Sequence, residues 1–529
     1  RSHLRSLPHI YVFQTVMVCV LEMSSDAGSR AVVARRRPRT STPRSSVALM
    51  LCLVAAAATS ALAAVSPGAA WTSSISSLLL TSRVRWHGIG RRAVVRSPIS
   101  LDAASKSDIA EFDVAVLGAT GFTGRLACEY LAQRGLPNLR WAMAGRNGSR
   151  LRELQDSLGA SARAVPLLEV DVRDEAAVKK LVGQAKVILN FAGTPYYDKA
   201  LPVVAACAQA GRCYIDITGE VPLMRLSADR YDARARETGA LIIHACGYDS
   251  VPFDLGVLLA ARAMRARYGV GCARVRGYIE GASGGISGGT LYTGIDLLSR
   301  GPDIEGGQAA SDPYGLDPPG GRRGPDVGDG GEVVGLLPNY DNEEASWTAP
   351  SVMSAINARV VRRSNALSGY SYGETMSYGE AALSEGLPAA LGLVAVLALG
   401  GAFLAFPLSR RALLSSSFAL PMPGQGPSRE SMDSGYFRVK TVAIGEQRAG
   451  AGVAAEAPKV VAHVESGDGG DPGYKCTARM AVEAALCCAL ERERCFRPGG
   501  VVTPAYGLGQ ILVDRLNATG MRLYVEPPV

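Results

Sequence analysis

Three glycines spaced three apart, Gly118, Gly121 and Gly124 in GATGFTG, follow the apolar run FDVAVL, in which Val114 and Val116 are β-branched. A strand that ends on glycine and turns straight into a helix gathers unpaired backbone N–H groups at the helix start. There the helix dipole adds a partial positive charge, and the missing side chains let a pyrophosphate come close. Three glycines alone are a weak sign. Their setting strengthens it, because the stretch that follows, RLACEYLAQRG, stops at Gly135 with Pro137 behind it, as a helix would. Gly118, Ala119, Thr120, Gly121, Phe122, Thr123 and Gly124 are therefore the expected loop for a dinucleotide cofactor.

A second strand, Arg140 to Ala144, ends in Gly145, Arg146 and Asn147, where an NAD-binding turn would carry an acid for the ribose hydroxyls. Here an arginine stands instead. Its planar fork suits a 2′-phosphate, which points to NADP(H), with the capping of a surface turn as the lesser alternative. The alternation continues with VPLLEVD to Asp171, KVILNFAG to Gly193, RCYIDITG and ALIIHACG, each strand separated from the next by a helical stretch. Alternating β and α units build a doubly wound parallel sheet, so residues 108–250 read as a Rossmann domain. Ligands bind beyond the carboxyl ends of such strands. Asp171, Asn190 to Tyr196, Asp216 to Glu220 and His244 to Asp249 should then meet in one cleft, with Ala192, Gly193 and Thr194 on the cofactor. Reduction by hydride also needs a proton donor, and Tyr196, Tyr248 and Asp249 are the candidates. His244 sits within an apolar strand and reads as a core histidine, while Asp249 has the alternative of capping the helix that starts near Pro252.

Composition narrows the remaining classes. The chain has 529 residues, more than one domain's worth, and is 47% hydrophobic and 20% charged, as a globular protein is. Its net charge of +8 resides in the first 100 residues, which hold thirteen arginines, no lysine and only Glu22 and Asp26 as acids. The body is nearly neutral, without interleaved basic and aromatic residues, so a nucleic-acid partner is not expected. Eleven cysteines lack CxxC pairing, and beyond the leader only His244 and His463 are histidines, so no metal site is expected. Cys487 and Cys488 lie in an apolar stretch and read as small buried hydrophobes.

Residues 1–107 look like a leader rather than a domain. The chain begins with Arg, and Met23 or Met50 offers an alternative start. Val47 to Val65 is uncharged and preceded by Arg35, Arg36, Arg37, Arg39 and Arg44, as a signal peptide is, and residues 66–105 are rich in Ser and Arg, as a transit peptide is. Together they suggest delivery to a plastid, or another membrane-associated organelle, through the secretory pathway; the endoplasmic reticulum or a lipid-droplet membrane is the alternative. Residues 251–529 form a second, α/β (α+β) domain, with a mobile Gly-, Pro- and Asp-rich insertion at 301–335. They also hold an uncharged run, Leu387 to Phe406, whose 20 residues at about 1.5 Å each reach across a bilayer core. That run is expected to be membrane-associated, with a buried helix as the alternative.

In order and spacing, GATGFTG, AGR, NFAGTPYY, YIDITGE and HACGYDSVPFDLG resemble the saccharopine dehydrogenase-like oxidoreductases, a group that includes trans-acting enoyl reductases. The likeness continues through GGISGGTLYTGIDLL, NARVVRRSNAL, PMPGQGPSRE and GGVVTPAYGLGQILVDRL, covering roughly residues 110–525 except the insertion. It implies a second domain that covers the Rossmann cleft, and Gly288, Gly289 and Thr290 presenting backbone to a substrate. The implied activity is NADP(H)-dependent reduction of an apolar, lipid-like or enoyl substrate, at a membrane or lipid surface. A second copy of the chain, as a homodimer, is a further candidate partner. Little in the chain resembles the basic cluster that an amino-dicarboxylate would need, which sets a saccharopine-type amino-acid dehydrogenase behind the reductase. A non-catalytic, nucleotide-binding scaffold at a membrane is the other alternative.

Overall fold

The computed structural model describes residues 110–528 apart from 194, 285–292, 294, 297, 298, 301, 302, 322, 323, 325–336, 352, 407–424, 448–456 and 497. The leader therefore lies outside the described residues. The strand carrying Val114 and Val116 is β1 (Phe112–Leu117), buried along its whole length. It lies between β4 and β2 in a seven-stranded parallel sheet made of β1, β2 (Trp141–Gly145), β3 (Leu167–Glu169), β4 (Ala185–Asn190), β5 (Cys213–Asp216), β6 (Leu241–Ile243) and β13 (Gly500–Val502). Their order is β13-β6-β5-β4-β1-β2-β3. Alternate side chains serve two cores, as the period of two in a strand requires. Val114, Val116, Val187, Leu189 and Ile215 face one, with α1 (Phe122–Arg134). Ala115, Leu117, Ile188 and Tyr214 face the other, with α3 (Glu175–Gln184), α4 (Leu201–Ala210) and α5 (Val221–Thr238). Between β2 and β3 runs α2 (Gly148–Ser157).

The C-terminal part also contributes to this sheet. Besides β13, the C-terminal part supplies α9 (Thr477–Leu490), which packs on β1, β4, β5 and α1, and α10 (Gly509–Asn517), which packs on α9. Glu483 of α9 is fully buried there and accepts from Tyr130 Oη at 2.7 Å and Arg515 Nε at 2.8 Å, with Arg134 Nε at 3.3 Å. A buried carboxylate needs such partners, and losing them leaves an uncompensated charge. The nucleotide-binding sheet is thus closed by a segment more than 200 residues downstream of its sixth strand.

The second sheet has the order β14-β12-β11-β7-β10-β9-β8. Its strands are β7 (Cys272–Ser283), β8 (Asn339–Asp341), β9 (Ser346–Pro350), β10 (Ser377–Ser384), β11 (Tyr436–Gly445), β12 (Lys459–Glu465) and β14 (Arg522–Val525), antiparallel except for the pair β7 and β10. Helix α6 (Val251–Tyr268) leaves the first sheet at β6 and lies on β11 and β12 of the second.

Of the insertion expected at 301–335, residues 301, 302, 322, 323 and 325–335 lie outside the described residues. Of the insertion, residues 303–321 are held in place by α7 (Ser354–Leu367), whose Arg359, Arg362 and Arg363 are all buried. Arg359 Nε donates to the carbonyls of Ala309 at 3.0 Å and Asp312 at 2.9 Å, and Arg362 Nη1 to that of Pro313 at 2.8 Å. Arg363 binds the carbonyls of Leu316 and Val501, and burial pulls its guanidinium down to about 10. Order comes from arginines outside the stretch, which its own poor apolar content could not reveal.

The apolar run becomes α8 (Leu387–Ala405), with Pro388 in its first turn. Ala390, Leu397 and Leu404 are buried, and the helix lies against β9 and β10. Among the described residues no helix is long and apolar enough to cross a membrane. The run therefore docks lengthwise on the protein through one face, while Leu387 and Leu391 on its outer side are exposed.

Candidate active site

The glycine turn has the shape that its spacing predicts. Gly118 adopts φ +82°, in the left-handed region where a Cβ is strained. A Cβ there would also stand 2.5 Å from Ala192 N and 2.6 Å from Phe191 C, so the turn after β4 presses directly on it. A Cβ on Gly124 would meet the Gly118 carbonyl oxygen at 2.2 Å, which is how α1 comes so close to β1. Gly121 caps α1 without any side-chain hydrogen bond, leaving the first N–H groups of the helix for a ligand. Ala119 is buried, and Thr120, Phe122 and Thr123 are partly so.

Gly145 is buried at the end of β2, and Arg146 next to it is exposed with its charge toward solvent. The exposed Asn147 also caps α2 through its Oδ1, which accepts from Arg150 N at 3.0 Å and Ser149 Oγ at 2.7 Å. Asp171 at the end of β3 is gripped by Arg173, whose Nη2 lies 2.6 Å away, and this pair holds its carboxyl down at about 2, with nearby Arg146 adding to the effect. Arg150, exposed in the first turn of α2, is a second cation at this end that the motif reading missed.

Beyond β4 the chain is anchored twice. Asn190 is fully buried and its Oδ1 accepts from Ala192 N at 2.8 Å. Glu220, almost fully buried, accepts from Tyr196 N at 2.8 Å and Tyr197 N at 2.6 Å. Gly193 lies against the Tyr196 ring, where a Cβ would be 2.6 Å from Cδ1; Thr194 lies outside the described residues. Tyr196 does not stand free as a proton donor would. Its hydroxyl donates inward to Asn190 O at 3.2 Å, and burial, with Asp216 and Glu220 nearby, pushes the phenol well above its ordinary range. Asp216 and His244 also turn inward, bonded to each other at 2.8 Å. His244 is the core histidine it resembled.

Asp249 behaves otherwise. The helix cap that it was an alternative for is Ser250, whose Oγ donates to Asn357 Oδ1 at 3.0 Å. Asp249 itself is partly buried, and among the described residues it makes no hydrogen bond or ion pair. Burial alone pushes its carboxyl up to about 6. Beside it, Tyr248 packs on Phe437 of β11, with ring centroids 4.9 Å apart, and donates its backbone N–H to Thr477 Oγ1 at 3.0 Å. Phe122 of the glycine turn meets Tyr474 edge-on at 5.1 Å, and Gly426 of the PMPGQG stretch sits against the Phe122 ring. These contacts bring the C-terminal part over the nucleotide turn. Gly288, Gly289 and Thr290 lie outside the described residues.

Comparison with known proteins agrees with this architecture. Residues 114–243 match the family described as the saccharopine dehydrogenase NADP binding domain. Over 424 residues the chain is 35% identical to the trans-acting enoyl reductase of Mycobacterium bovis (strain BCG / Pasteur), covering 78% of this chain and 97% of that protein. The trans-acting enoyl reductase of Mycobacterium ulcerans is 35% identical over 430 residues, with the same coverage. A Mycobacterium tuberculosis protein provisionally given that name is 36% identical over 422 residues, covering 78% of this chain and 97% of its own. The chain belongs to the trans-acting enoyl reductase family. Among solved structures, the amine dehydrogenase of Mycobacterium smegmatis covers 73% of the chain and 94% of its own at 13% identity, with a TM-score of 0.28, too low for an argument from shape.

Membership of this family makes the chain an NADP(H)-dependent oxidoreductase. The residues present fit that cofactor: a turn whose two glycines leave no room for a Cβ, an uncapped helix start, and an arginine at the end of β2 in place of an acid. Gly118 to Gly124 would hold the pyrophosphate, Arg146 the 2′-phosphate, and Ala192 and Gly193 the far half.

Five carboxyls of this enzyme are shifted the same way by burial. Burial pushes Glu220 up to about 8, Asp254 and Glu380 to about 7, and Asp249 and Asp471 to about 6. In the unfolded chain these groups release their protons near pH 4, so between about pH 4.5 and 8 the folded state binds more protons than the unfolded one. Stability therefore falls as pH rises through that window. Thermal unfolding at pH 5.5 and pH 8 should show the midpoint lower by several degrees at the higher pH, and an equal or higher midpoint there would contradict the assignment.

Proposed function

We propose that the chain saturates the carbon–carbon double bond of an apolar, lipid-like enoyl thioester with NADPH, and that Asp249 is the proton donor. The observation that carries this reading is the Asp249 carboxyl, partly buried beyond β6 without a protein partner among the described residues and shifted up by burial alone. A carboxyl so placed keeps its proton toward neutral pH, as a general acid must. The names of the relatives support the enoyl substrate. NADPH held by Gly118 to Gly124 and Arg146 would supply the hydride for the carbon β to the carbonyl. Asp249 then gives its proton to the α-carbon and takes another from solvent, so that one hydride and one proton are consumed for each double bond. Tyr248 and Phe437 offer an apolar wall beside it.

Two measurements test the reading. NADPH should stabilise the protein more than NADH, and Arg146→Ala should weaken NADPH binding by about 10- to 100-fold with little effect on NADH, because a bidentate charged contact to the 2′-phosphate is lost. NADPH oxidation should then depend on a long-chain trans-2-enoyl thioester. Binding of NADPH without turnover of any such thioester would leave the scaffold reading in its place.

A lipid-like substrate also gives the outer face of α8 a use. We propose that Leu387 and Leu391, 37% and 48% exposed on an uncharged helix, rest on a lipid surface without crossing it. The protein should float with phosphatidylcholine vesicles, and Leu391→Glu should release it; flotation unaffected by that change would place the contact elsewhere.

A further inference from the structure

Beneath the turn that follows β4 runs a chain of hydrogen bonds. Asn190 Nδ2 donates to Tyr214 Oη at 2.9 Å, and the Tyr214 hydroxyl donates to Asp216 Oδ2 at 2.9 Å. His244 Nδ1 lies 2.8 Å from the same oxygen, and His244 Nε2 lies 2.8 Å from Ser227 Oγ. Asn190, Tyr214, Asp216 and Ser227 have no exposed surface, and His244 is 3% exposed.

The chemistry of the members sets the direction of the bonds from Ala192 through Asn190 and Tyr214 to Asp216. The Tyr214 hydroxyl donates to the carboxyl oxygen of Asp216, so the phenol oxygen is left to receive an N–H. Burial beside Asp216 pushes the Tyr214 phenol well above its ordinary range, which keeps that proton in place. The side chain of Asn190 must therefore turn its NH2 group to Tyr214 and its carbonyl to Ala192 N, the one orientation that fastens the turn. Ala192 N is the atom that lies nearest to where a Cβ on Gly118 would stand.

With the pyrophosphate held at the turn after β1 and the 2′-phosphate by Arg146 after β2, the nicotinamide half of the cofactor would be left to the turns after β4 and β5, on the other side of β1 from β2. We infer that Asn190, Tyr214 and Asp216 are positioning residues for that half, shaping the Ala192–Gly193 turn from below without touching the cofactor. His244 and Ser227 hold the far end of the chain. This inference rests on the NADPH reading above.

The test compares two ligands on the full chain: NADPH, and 2′,5′-ADP, which keeps the adenosine half and its phosphates but lacks the nicotinamide. Tyr214→Phe removes only the hydroxyl and should weaken NADPH about tenfold while leaving 2′,5′-ADP affinity unchanged. Asp216→Asn should act the same way, because its amide cannot accept as the carboxylate does; should that variant fail to fold, Tyr214→Phe alone decides. Unchanged NADPH affinity overturns the inference, and so does an equal loss for both ligands, which would mark the chain of bonds as general scaffolding. If the natural chain binds neither ligand, the cofactor reading falls first, and this inference falls with it.

Discussion

Asp249→Asn should lower kcat for enoyl reduction by about 10²- to 10⁴-fold, the usual contribution of a positioned general acid, and leave NADPH affinity unchanged. The substitution is nearly isosteric, and among the described residues Asp249 has no hydrogen bond or ion pair to lose. Removing a buried ionisable group should even raise the unfolding midpoint at pH 8, where the natural carboxyl must ionise against burial. The pH profile separates chemistry from structure. With a carboxyl near 6 that must be protonated to act, the natural enzyme should lose about tenfold in rate per pH unit above that value, while the residual rate of Asp249→Asn should lack this dependence. A variant with intact kcat and an unaltered profile would remove Asp249 from the mechanism and leave Tyr248 as the remaining candidate.

Gly118→Ala should cost NADPH affinity by about 100-fold or more, since a displacement of about 1 Å in a binding turn has consequences of that size. Two penalties combine at this position. The φ of +82° is strained for any residue with a Cβ, and the Cβ itself would stand 2.5 Å from Ala192 N, a backbone atom that a rotamer change cannot move. Either the glycine turn or the turn after β4 must give way, and both belong to the cofactor site. Gly183 in α3 is the control, because nothing lies within 4 Å of a Cβ there. Gly183→Ala should leave binding intact and raise stability by up to about 1 kcal/mol, as alanine does in a helix. Fluorescence titration with NADPH, beside thermal unfolding, reads both; undiminished NADPH binding by Gly118→Ala would mean that the pyrophosphate is held elsewhere.

Much of the nucleotide-binding half is legible in the amino-acid sequence, because its signals are local. Six of the seven strands of the parallel sheet, the glycine turn and the stop of α1 at Gly135 depend on short apolar runs, missing side chains and chain reversal within about ten residues. The cofactor preference is legible too, since it hangs on one residue type at the end of β2. What each polar side chain bonds to is not. Asn147, Tyr196 and Asp249 all follow strand ends and look alike as candidates, yet the first caps a helix, the second turns inward to Asn190, and the third has no protein partner among the described residues. Rotamer and neighbours decide among such roles, and the neighbours come from elsewhere: Tyr248 is held by Thr477, and the buried guanidinium of Arg363 by carbonyls of Leu316 and Val501. The same applies to the seventh strand, β13, and to the apolar run at Leu387, whose composition alone fits a bilayer as well as a sheet. Sequence by itself determined the local conformations and the kind of cofactor, because short-range sterics and residue chemistry suffice for those; the tertiary structure decided the burial and pairing of each polar group, because these depend on contacts between residues as far as 200 positions apart and more.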